Sequence, residues 1–222
     1  MRTPEPRRIR GIALDMDGLL FDTERLYWEV GDTVLRRRGH RFTAELQARM
    51  MGRVGTAAMQ QMVDFHELDD TAEALLAESE ALYAEILRDG LRPMPGLDRW
   101  MGFLRSEGRP FGLATSSRRR FVRMILDTVD WHQELAFVLT GDDVTRGKPH
   151  PEMYQMAAGE MGIDPGEMLV LEDSGNGCAA AVAAGAITVA IPSEHTRDQD
   201  FRGAAMIAES LTDPRLWAWL RD

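Results

Sequence analysis

The sequence is poor in cysteine and has no long hydrophobic run. Cys178 is the one cysteine among 222 residues, so no disulfide can form within the chain. No apolar stretch approaches the roughly 18 residues that a membrane-spanning helix needs. The basic segment 1–10 is not followed by the apolar region of a signal peptide. These absences predict a cytoplasmic protein that does not insert into a membrane.

Basic residues are also in the minority. The chain has 26 lysines and arginines against 36 aspartates and glutamates, which gives a formal net charge of −10. Nucleic-acid-binding proteins present a basic face, so nucleic acid is excluded as an expected partner. A local cluster of cations and backbone amides can still hold a small anion in an acidic protein, and small phosphorylated molecules therefore stay candidate ligands.

Short apolar strands alternate with helices over most of the sequence. This alternation predicts an α/β fold with a doubly wound, parallel, Rossmann-like sheet. The predicted strands cover residues 9–14, 111–114, 137–139, 168–171, 187–190 and 206–208. The predicted helices between them cover 97–106, 118–128, 152–161 and 174–184, and a last helix contains Trp217 and Trp219.

Residues 23–90 break this alternation because the segment reads as helical throughout. Helices are predicted over 24–38, 45–51, 56–65 and 70–88, the last with a capping-box-like start formed by Asp70 and Glu73. The segment lies between the first and second predicted strands, so we interpret it as an insert. The predicted organisation is a core made of 1–22 and 91–222 with a helical cap at 23–90.

Polar residues follow four of the predicted strands, at or shortly after the point where each strand ends. Ligands of open α/β sheets bind outside the carboxyl ends of the strands, so these groups are expected to converge. In chain order they are Asp15-Met16-Asp17-Gly18, Thr115-Ser116-Ser117, Gly147-Lys148-Pro149 and Glu172-Asp173-Ser174-Gly175.

The residue types in these groups point to phosphoryl transfer. Converging carboxylates are costly unless a cation joins them, and an all-oxygen ligand set suits Mg²⁺. Lys148, the Thr115 hydroxyl and the backbone amides of the following turn can hold a phosphate. One aspartate can attack phosphorus to form an aspartyl phosphate, and a second can protonate the leaving oxygen and then activate water.

Taken in order, the four groups resemble the four motifs of the haloacid dehalogenase-like hydrolase superfamily. The flanking sequences resemble its branch of β-phosphoglucomutase-like phosphatases, and the resemblance spans nearly the whole chain, including a helical cap inserted after the first motif. These sequences are Phe21-Asp22-Thr23-Glu24, Gly147-Lys148-Pro149-His150-Pro151-Glu152 and Leu171-Glu172-Asp173-Ser174-Gly175-Asn176-Gly177.

The resemblance implies roles for the catalytic and phosphate-binding residues. Asp15 would be the nucleophile and a metal ligand, and Asp17 would be the general acid and base, with its backbone carbonyl on the metal. Lys148 would bridge the phosphate and Asp15. Thr115 and the backbone amide of Ser116 would hold the phosphate.

The resemblance also implies the rest of the Mg²⁺ site. Asp173 would be a direct ligand. Glu172 would be a ligand either directly or through a water molecule, and the sequence leaves these two alternatives open.

Two departures from the family concern the cap. Mutase members carry an arginine three residues after the glycine that corresponds to Gly52, where this chain has Gly55, and a histidine where it has Tyr27. Those residues help to hold a sugar phosphate that reorients between two half-reactions, so their absence favours a phosphatase over a mutase. Arg49 and Arg53 could take their place, and Tyr27, Arg49 and Arg53 are our candidates for substrate specificity.

The sequence as a whole therefore predicts a Mg²⁺-dependent phosphatase that hydrolyses a small phosphorylated metabolite, such as a sugar phosphate, through an aspartyl-phosphate intermediate. The expected protein is a cytoplasmic monomer whose cap closes over the site. The alternative is a phosphosugar mutase of the β-phosphoglucomutase type. An alternative of another class is a non-catalytic protein that binds a phosphorylated metabolite. A dehalogenase is disfavoured because such relatives need no acid at the position of Asp17.

Overall fold

A computed structural model describes residues 9–50, 53 and 55–221 and divides the chain into two compact units. The core unit contains the chain up to Asp22 and from Arg92 onward, and the helical unit is Thr23–Leu91. Most of the basic segment 1–10 and the cap residue Gly52 lie outside the described residues. The catalytic and cap roles assigned to the two parts of the sequence stay predictions.

The core unit is built on one parallel sheet, which confirms the predicted α/β fold. Its described strands lie in the order β3-β2-β1-β4-β5-β6, with every pair parallel. The strands are β1 (Gly11–Leu14), β2 (Phe111–Ala114), β3 (Val138–Leu139), β4 (Met168–Glu172), β5 (Ile187–Ala190) and β6 (Met206–Ile207).

The strand order reverses at β1, and this reversal determines where the polar residues that follow the strands lie. From β1 the chain first adds strands on one side, through β2 to β3, and then returns to the other side of β1 with β4. Ile12 is in register with Phe111 of β2 and Leu169 of β4, and all of β1 is buried. A reversal of this kind opens a crevice beyond the carboxyl ends of the two central strands, here β1 and β4.

The helical unit contains four α-helices and no strand among its described residues, as its sequence predicts. The end of α1 agrees with the predicted stop at Gly39, whose positive φ of 79° reverses the chain after the helix. The helices are α1 (Glu24–Arg36), α2 (Ala44–Met50), α3 (Thr56–His66) and α4 (Ala72–Gly90).

The start of α4 differs from the sequence-based expectation. Thr71 is the N-cap, and its side-chain oxygen accepts a hydrogen bond from the Ala74 amide at 3.2 Å. Asp70 instead binds the guanidinium of Arg38, with two N···O distances of 2.8 Å. The capping-box assignment was therefore wrong by one residue, because a distant arginine binds the carboxylate that could have capped the helix.

Helices in the core unit join most of the strands. The connection between β5 and β6 has no helix, and a short 3₁₀ helix at Asp130–Glu134 precedes β3. Among the described residues, no helix is both long and apolar enough to cross a bilayer. The core helices are α5 (Leu97–Glu107), α6 (Arg119–Leu126), α7 (Glu152–Glu160), α8 (Gly175–Ala184) and α9 (Pro214–Arg221).

Candidate active site

Three carboxylates meet where β1 and β4 end. Asp15 follows β1, Glu172 is the last residue of β4, and Asp173 comes directly after it. Each side chain is buried, and one carboxylate oxygen from each lies within 4.8 Å of the others. Parallel pairing of β1 with β4 produces this convergence, because it aligns Leu14 with Leu171 and brings the following residues to the same edge.

Lys148 enters this cluster from the loop that follows β3. Its ammonium donates to Asp15 Oδ1 and Glu172 Oε1, both at 2.6 Å, and to the carbonyl of Ala114 at 2.9 Å. The side chain is only 5% exposed, so these ion pairs are shielded from solvent. Lys148 therefore ties together the ends of β1, β2 and β4.

Burial dominates the electrostatics of the cluster. It raises the pKa of Asp15 to about 8, against the opposing effect of Lys148. Burial would also lower the pKa of Lys148, but the carboxylates of Asp15 and Glu172 hold it well above its ordinary value. One ammonium thus faces the three carboxylates of Asp15, Glu172 and Asp173, which leaves an excess of negative charge.

Glu172 receives hydrogen bonds on both of its oxygens. Besides Lys148, the hydroxyl of Tyr154 donates to Oε1 at 2.8 Å, and the backbone amide and hydroxyl of Ser174 donate to Oε2 at 3.1 and 2.9 Å. Tyr154 is fully buried, and burial keeps its pKa well above the usual range, so the hydroxyl retains its proton. These donors hold the Glu172 carboxylate in one orientation.

Asp17 lies two residues after Asp15 but belongs to a separate set of hydrogen bonds. Its Oδ2 accepts from the hydroxyl of Thr115 at 2.9 Å and from the hydroxyl of Ser117 at 2.8 Å. Its Oδ1 is buried and has no hydrogen-bond partner among the described residues. The Asp17 side chain is thus absent from the carboxylate cluster, and binding of a metal by its backbone carbonyl stays a prediction.

The turn after Asp17 requires glycine. Gly18 has a φ of +73°, in the left-handed region that side chains disfavour. A Cβ at Gly18 would collide with the Asp173 carboxylate. The glycine of the first motif therefore lets the backbone after β1 turn sharply and pass close to the carboxylates after β4.

The structure describes the three specificity candidates within the helical unit. Tyr27 is 45% exposed, and its ring stacks on that of Tyr83 with the centroids 4.7 Å apart. Arg49 pairs with Glu45 at 2.8 Å and lies over the Phe65 ring. Arg53 is exposed, and its guanidinium donates to the Arg49 carbonyl at 3.0 Å. Arg49 and Arg53 are therefore neighbours, and the roles of all three in substrate binding stay predictions.

The carboxylate cluster fits a magnesium ion. Mg²⁺ prefers oxygen ligands, and Asp15, Glu172 and Asp173 offer converging carboxylate oxygens with surplus negative charge. No other described group of three potential ligands is brought together in this way. The donor set therefore suits a hard divalent cation.

Sequence reasoning missed two residues of the site. Ser117 belongs to the cluster of hydroxyl residues after β2, so its position carries a usable signal, but the family resemblance implies roles only for Thr115 and Ser116. Ser116 itself is exposed. Tyr154 carried no such signal, because an aromatic residue on the apolar face of a helix normally indicates core packing.

Comparisons with known proteins find relatives that match most of this chain. A Drosophila melanogaster protein named "Probable pseudouridine-5'-phosphatase" is 33% identical over 216 residues, covering 93% of this chain and 92% of the relative. The mitochondrial (DL)-glycerol-3-phosphatase 1 of Arabidopsis thaliana is 32% identical over 222 residues, covering 95% and 73%. A solved structure of a beta-phosphoglucomutase-like protein from Thermotoga maritima has a TM-score of 0.75 and 27% identity, covering 90% of this chain and 94% of that one.

A family model gives the assignment directly. The model for haloacid dehalogenase-like hydrolases matches residues 9–185, a range that contains all four motifs. The resemblance noted in the sequence, including that to the β-phosphoglucomutase-like branch, is thereby confirmed. This protein belongs to the haloacid dehalogenase-like hydrolase family.

Proposed function

We propose that this phosphoric monoester hydrolase is Mg²⁺-dependent and cleaves a small phosphorylated metabolite through an aspartyl phosphate on Asp15. The observation that carries the proposal is the buried cluster in which Lys148 contacts Asp15 and Glu172 at 2.6 Å, beside Asp173. Asp17 lies two residues after Asp15 in the sequence, but its side chain accepts hydrogen bonds from two hydroxyls outside this cluster. Two carboxylates with different surroundings are therefore available for two different roles.

In the first step, a carboxylate oxygen of Asp15 attacks phosphorus while the bond from phosphorus to the ester oxygen breaks. Asp17 gives its proton to the departing oxygen, which leaves as an alcohol. The ammonium of Lys148 stays beside Asp15 and offsets the repulsion between the nucleophile and the phosphate.

In the second step, Asp17 accepts a proton from a water molecule as the water oxygen attacks phosphorus. The bond between phosphorus and Asp15 breaks, inorganic phosphate leaves, and Asp17 is protonated again. The hydroxyl of Thr115 and the backbone amide of Ser116, at the start of the turn before α6, would hold the phosphate oxygens.

Asp15, Asp173 and the backbone carbonyl of Asp17 would hold the Mg²⁺, with Glu172 as a direct or water-mediated ligand. Four donors already occupy both oxygens of Glu172, so a direct contact and a water-mediated contact would each have to displace one of them, and both alternatives stay open. When bound, Mg²⁺ neutralises the phosphate and the carboxylates that face it.

The relatives suggest which substrates to test first. Their names specify pseudouridine 5'-phosphate and glycerol 3-phosphate, both of which are phosphate esters of small polar alcohols. We therefore propose a phosphorylated sugar, nucleoside or polyol as the natural substrate.

The test is phosphate release from a panel containing both compounds, several sugar phosphates and p-nitrophenyl phosphate. Release should stop after exhaustive treatment with EDTA and return when Mg²⁺ is added. An unchanged rate in EDTA would refute the metal assignment. Conversion of β-glucose 1-phosphate to glucose 6-phosphate without phosphate release would identify a mutase, and tight binding of panel members without turnover would identify a binding protein.

A further inference from the structure

The hydrogen bonds of Asp17 are asymmetric. Two hydroxyls, from Thr115 and Ser117, donate to Oδ2 at 2.9 and 2.8 Å, whereas Oδ1 is buried with no partner among the described residues. A buried polar atom that lacks a partner is costly, so a partner for Oδ1 is expected to come from a ligand. The two hydroxyls thereby distinguish the two oxygens of one carboxylate.

Ser117 is held in place by its own backbone. Its amide donates to the hydroxyl oxygen of Thr115 at 3.0 Å, and its carbonyl accepts from the Gly141 amide at 2.9 Å. Gly141 packs so tightly here that a Cβ would collide with the carbonyl oxygen of Ser116. The Ser117 hydroxyl is therefore presented to Asp17 by a fixed turn.

Thr115 alone would hold Asp17 less securely during the reaction. A hydroxyl has one proton to donate, and the Thr115 hydroxyl donates its proton to Asp17 in this structure. If Thr115 turns its proton toward the substrate phosphate, as the proposed function requires, its bond to Asp17 is lost. Ser117 can keep its hydrogen bond to Oδ2 of Asp17 while the Thr115 hydroxyl turns to the phosphate.

We propose that Ser117 is a positioning residue for the general acid Asp17. It fixes Oδ2 and so leaves Oδ1 to carry the proton that passes to the departing oxygen as the bond from phosphorus to that oxygen breaks. The inference rests on the proposed function, in which Asp17 is the acid. It gives a role to a residue of the second motif group for which the family resemblance implied none.

The dependence on the leaving group separates this role from a structural one. Alkoxides are poor leaving groups and need a proton from the acid, whereas p-nitrophenolate leaves as a stable anion. The value of kcat/KM reports only the steps up to formation of the aspartyl phosphate, so the common second step does not mask the difference. The substrates are p-nitrophenyl phosphate, phenyl phosphate and glycerol 3-phosphate, in order of increasing need for the acid.

Ser117→Ala should lower kcat/KM for glycerol 3-phosphate at least about tenfold more than for p-nitrophenyl phosphate, with phenyl phosphate between them. Ser117→Thr keeps a hydroxyl, so its ratio of kcat/KM for glycerol 3-phosphate to kcat/KM for p-nitrophenyl phosphate should return most of the way to the wild-type value. The ratio of Ser117→Val should stay low. The Thr and Val variants are nearly equal in shape, so they decide the question even if the alanine variant folds poorly. Circular dichroism and thermal unfolding check the fold of each variant.

Ser106→Ala is the matched control. It removes a hydroxyl that donates to the Phe103 carbonyl at 2.7 Å within α5 of the same core unit, and it should leave the ratio between substrates unchanged. Equal losses on all three substrates in Ser117→Ala, or no rescue by threonine, would overturn the positioning role.

Asp17→Asn separates the failure of this inference from failure of the proposed function. The asparagine variant should show a dependence on the leaving group that is at least as steep as that of Ser117→Ala. If it shows none, Asp17 is not the acid and that part of the proposed function fails. If Asp17→Asn shows the dependence and Ser117→Ala does not, only the role of Ser117 is lost.

Discussion

Asp15, the proposed nucleophile, is buried at a cost to the stability of the fold. Burial raises its pKa to about 8, so the folded protein disfavours the ionised carboxylate that attack on phosphorus requires. Lys148 offsets part of this cost through its 2.6 Å contact. Burial in the fold therefore favours the neutral form of the residue that we propose as the nucleophile.

We predict that Asp15→Asn abolishes turnover while the metal-free protein stays at least as stable as the wild type. The amide cannot form an acyl phosphate, so phosphate release should fall by about a thousandfold or more. Removal of a disfavoured buried charge should not lower the free energy of unfolding measured with urea in EDTA.

Asp127→Asn is the matched control, because Asp127 is exposed after the end of α6. This control should retain wild-type turnover. A folded Asp15→Asn variant with near-wild-type turnover would remove Asp15 as the nucleophile.

A substitution at Tyr154 tests how much its hydrogen bond to Glu172 contributes to stability. Tyr154→Phe keeps the buried ring but removes the hydroxyl that donates to Glu172 at 2.8 Å. We expect the free energy of unfolding to fall by about 1–3 kcal/mol, because a buried carboxylate loses one donor. Urea denaturation measures this loss, and an unchanged midpoint would mean that the hydroxyl contributes nothing to holding Glu172.

The sequence predicts some site residues better than others. The difference is whether a residue's role follows from a local pattern or from a contact with a residue far away in the sequence. Asp15, Lys148 and Asp173 follow strands whose apolar patterns are local, so their convergence can be expected from the sheet alone. The roles of Ser117 and Tyr154 depend on contacts with residues 100 and 18 positions away, which no local pattern reveals. The predicted capping role of Asp70 was wrong for the same reason, because its partner Arg38 is 32 positions away.

At the scale of elements, one ion-pair network links the end of α1 to the start of α4. Arg38 follows α1 and binds Asp70, just before α4, at 2.8 Å and Glu78 within α4 at 2.7 Å. These side chains are partly buried, with exposed fractions between 19% and 28%. The arginine lowers the pKa of both carboxyls, so the network stabilises the folded helical unit when they are ionised.

We predict that Arg38→Met lowers the free energy of unfolding by about 1–2 kcal/mol near pH 7. A carboxyl with a lowered pKa in the folded state contributes stability above its unfolded pKa and loses it as the pH falls through the folded pKa. The difference between variant and wild type should therefore persist down to about pH 5 and shrink below about pH 4.

Urea denaturation across this pH range measures the effect of Arg38. Arg36→Met is the control, because the Arg36 side chain is 59% exposed and its partner Asp32 keeps a second ion pair with Arg41, so the substitution should cost less than about 0.5 kcal/mol. A difference for Arg38→Met that does not change between about pH 7 and pH 3.5 would mean that packing, and not the ion pairs, explains the loss.

At the scale of the whole molecule, the four motifs and the helical unit occupy separate parts of the chain. All four motifs lie in the core unit, and the chain leaves that unit after Asp22, five residues beyond Asp17. It returns at Arg92, whose carbonyl accepts a hydrogen bond from the Asp22 amide at 2.9 Å. The exit and the return are thus tied together shortly after the first motif.

This connectivity leads to a prediction about substrate choice. We expect the helical unit to determine which ester is used, through exposed residues such as Arg53, while the core unit determines whether any ester is cleaved. Arg53→Ala should raise the KM for the best substrate of the panel, or change the order of substrates. It should lower kcat/KM for that substrate severalfold more than for p-nitrophenyl phosphate, which gains little binding energy from groups away from the phosphate.

Arg88→Ala is the matched control for this division, since Arg88 is also an exposed arginine of the helical unit and lies in the last turn of α4. It should leave the ratio between the two substrates unchanged. Equal losses on both substrates in Arg53→Ala would place Arg53 in folding or in phosphate binding. If Tyr27→Ala and Arg49→Ala also reduced both activities equally, the helical unit would not be the element that selects the substrate, because selection requires contacts with the part of the ester that differs between substrates.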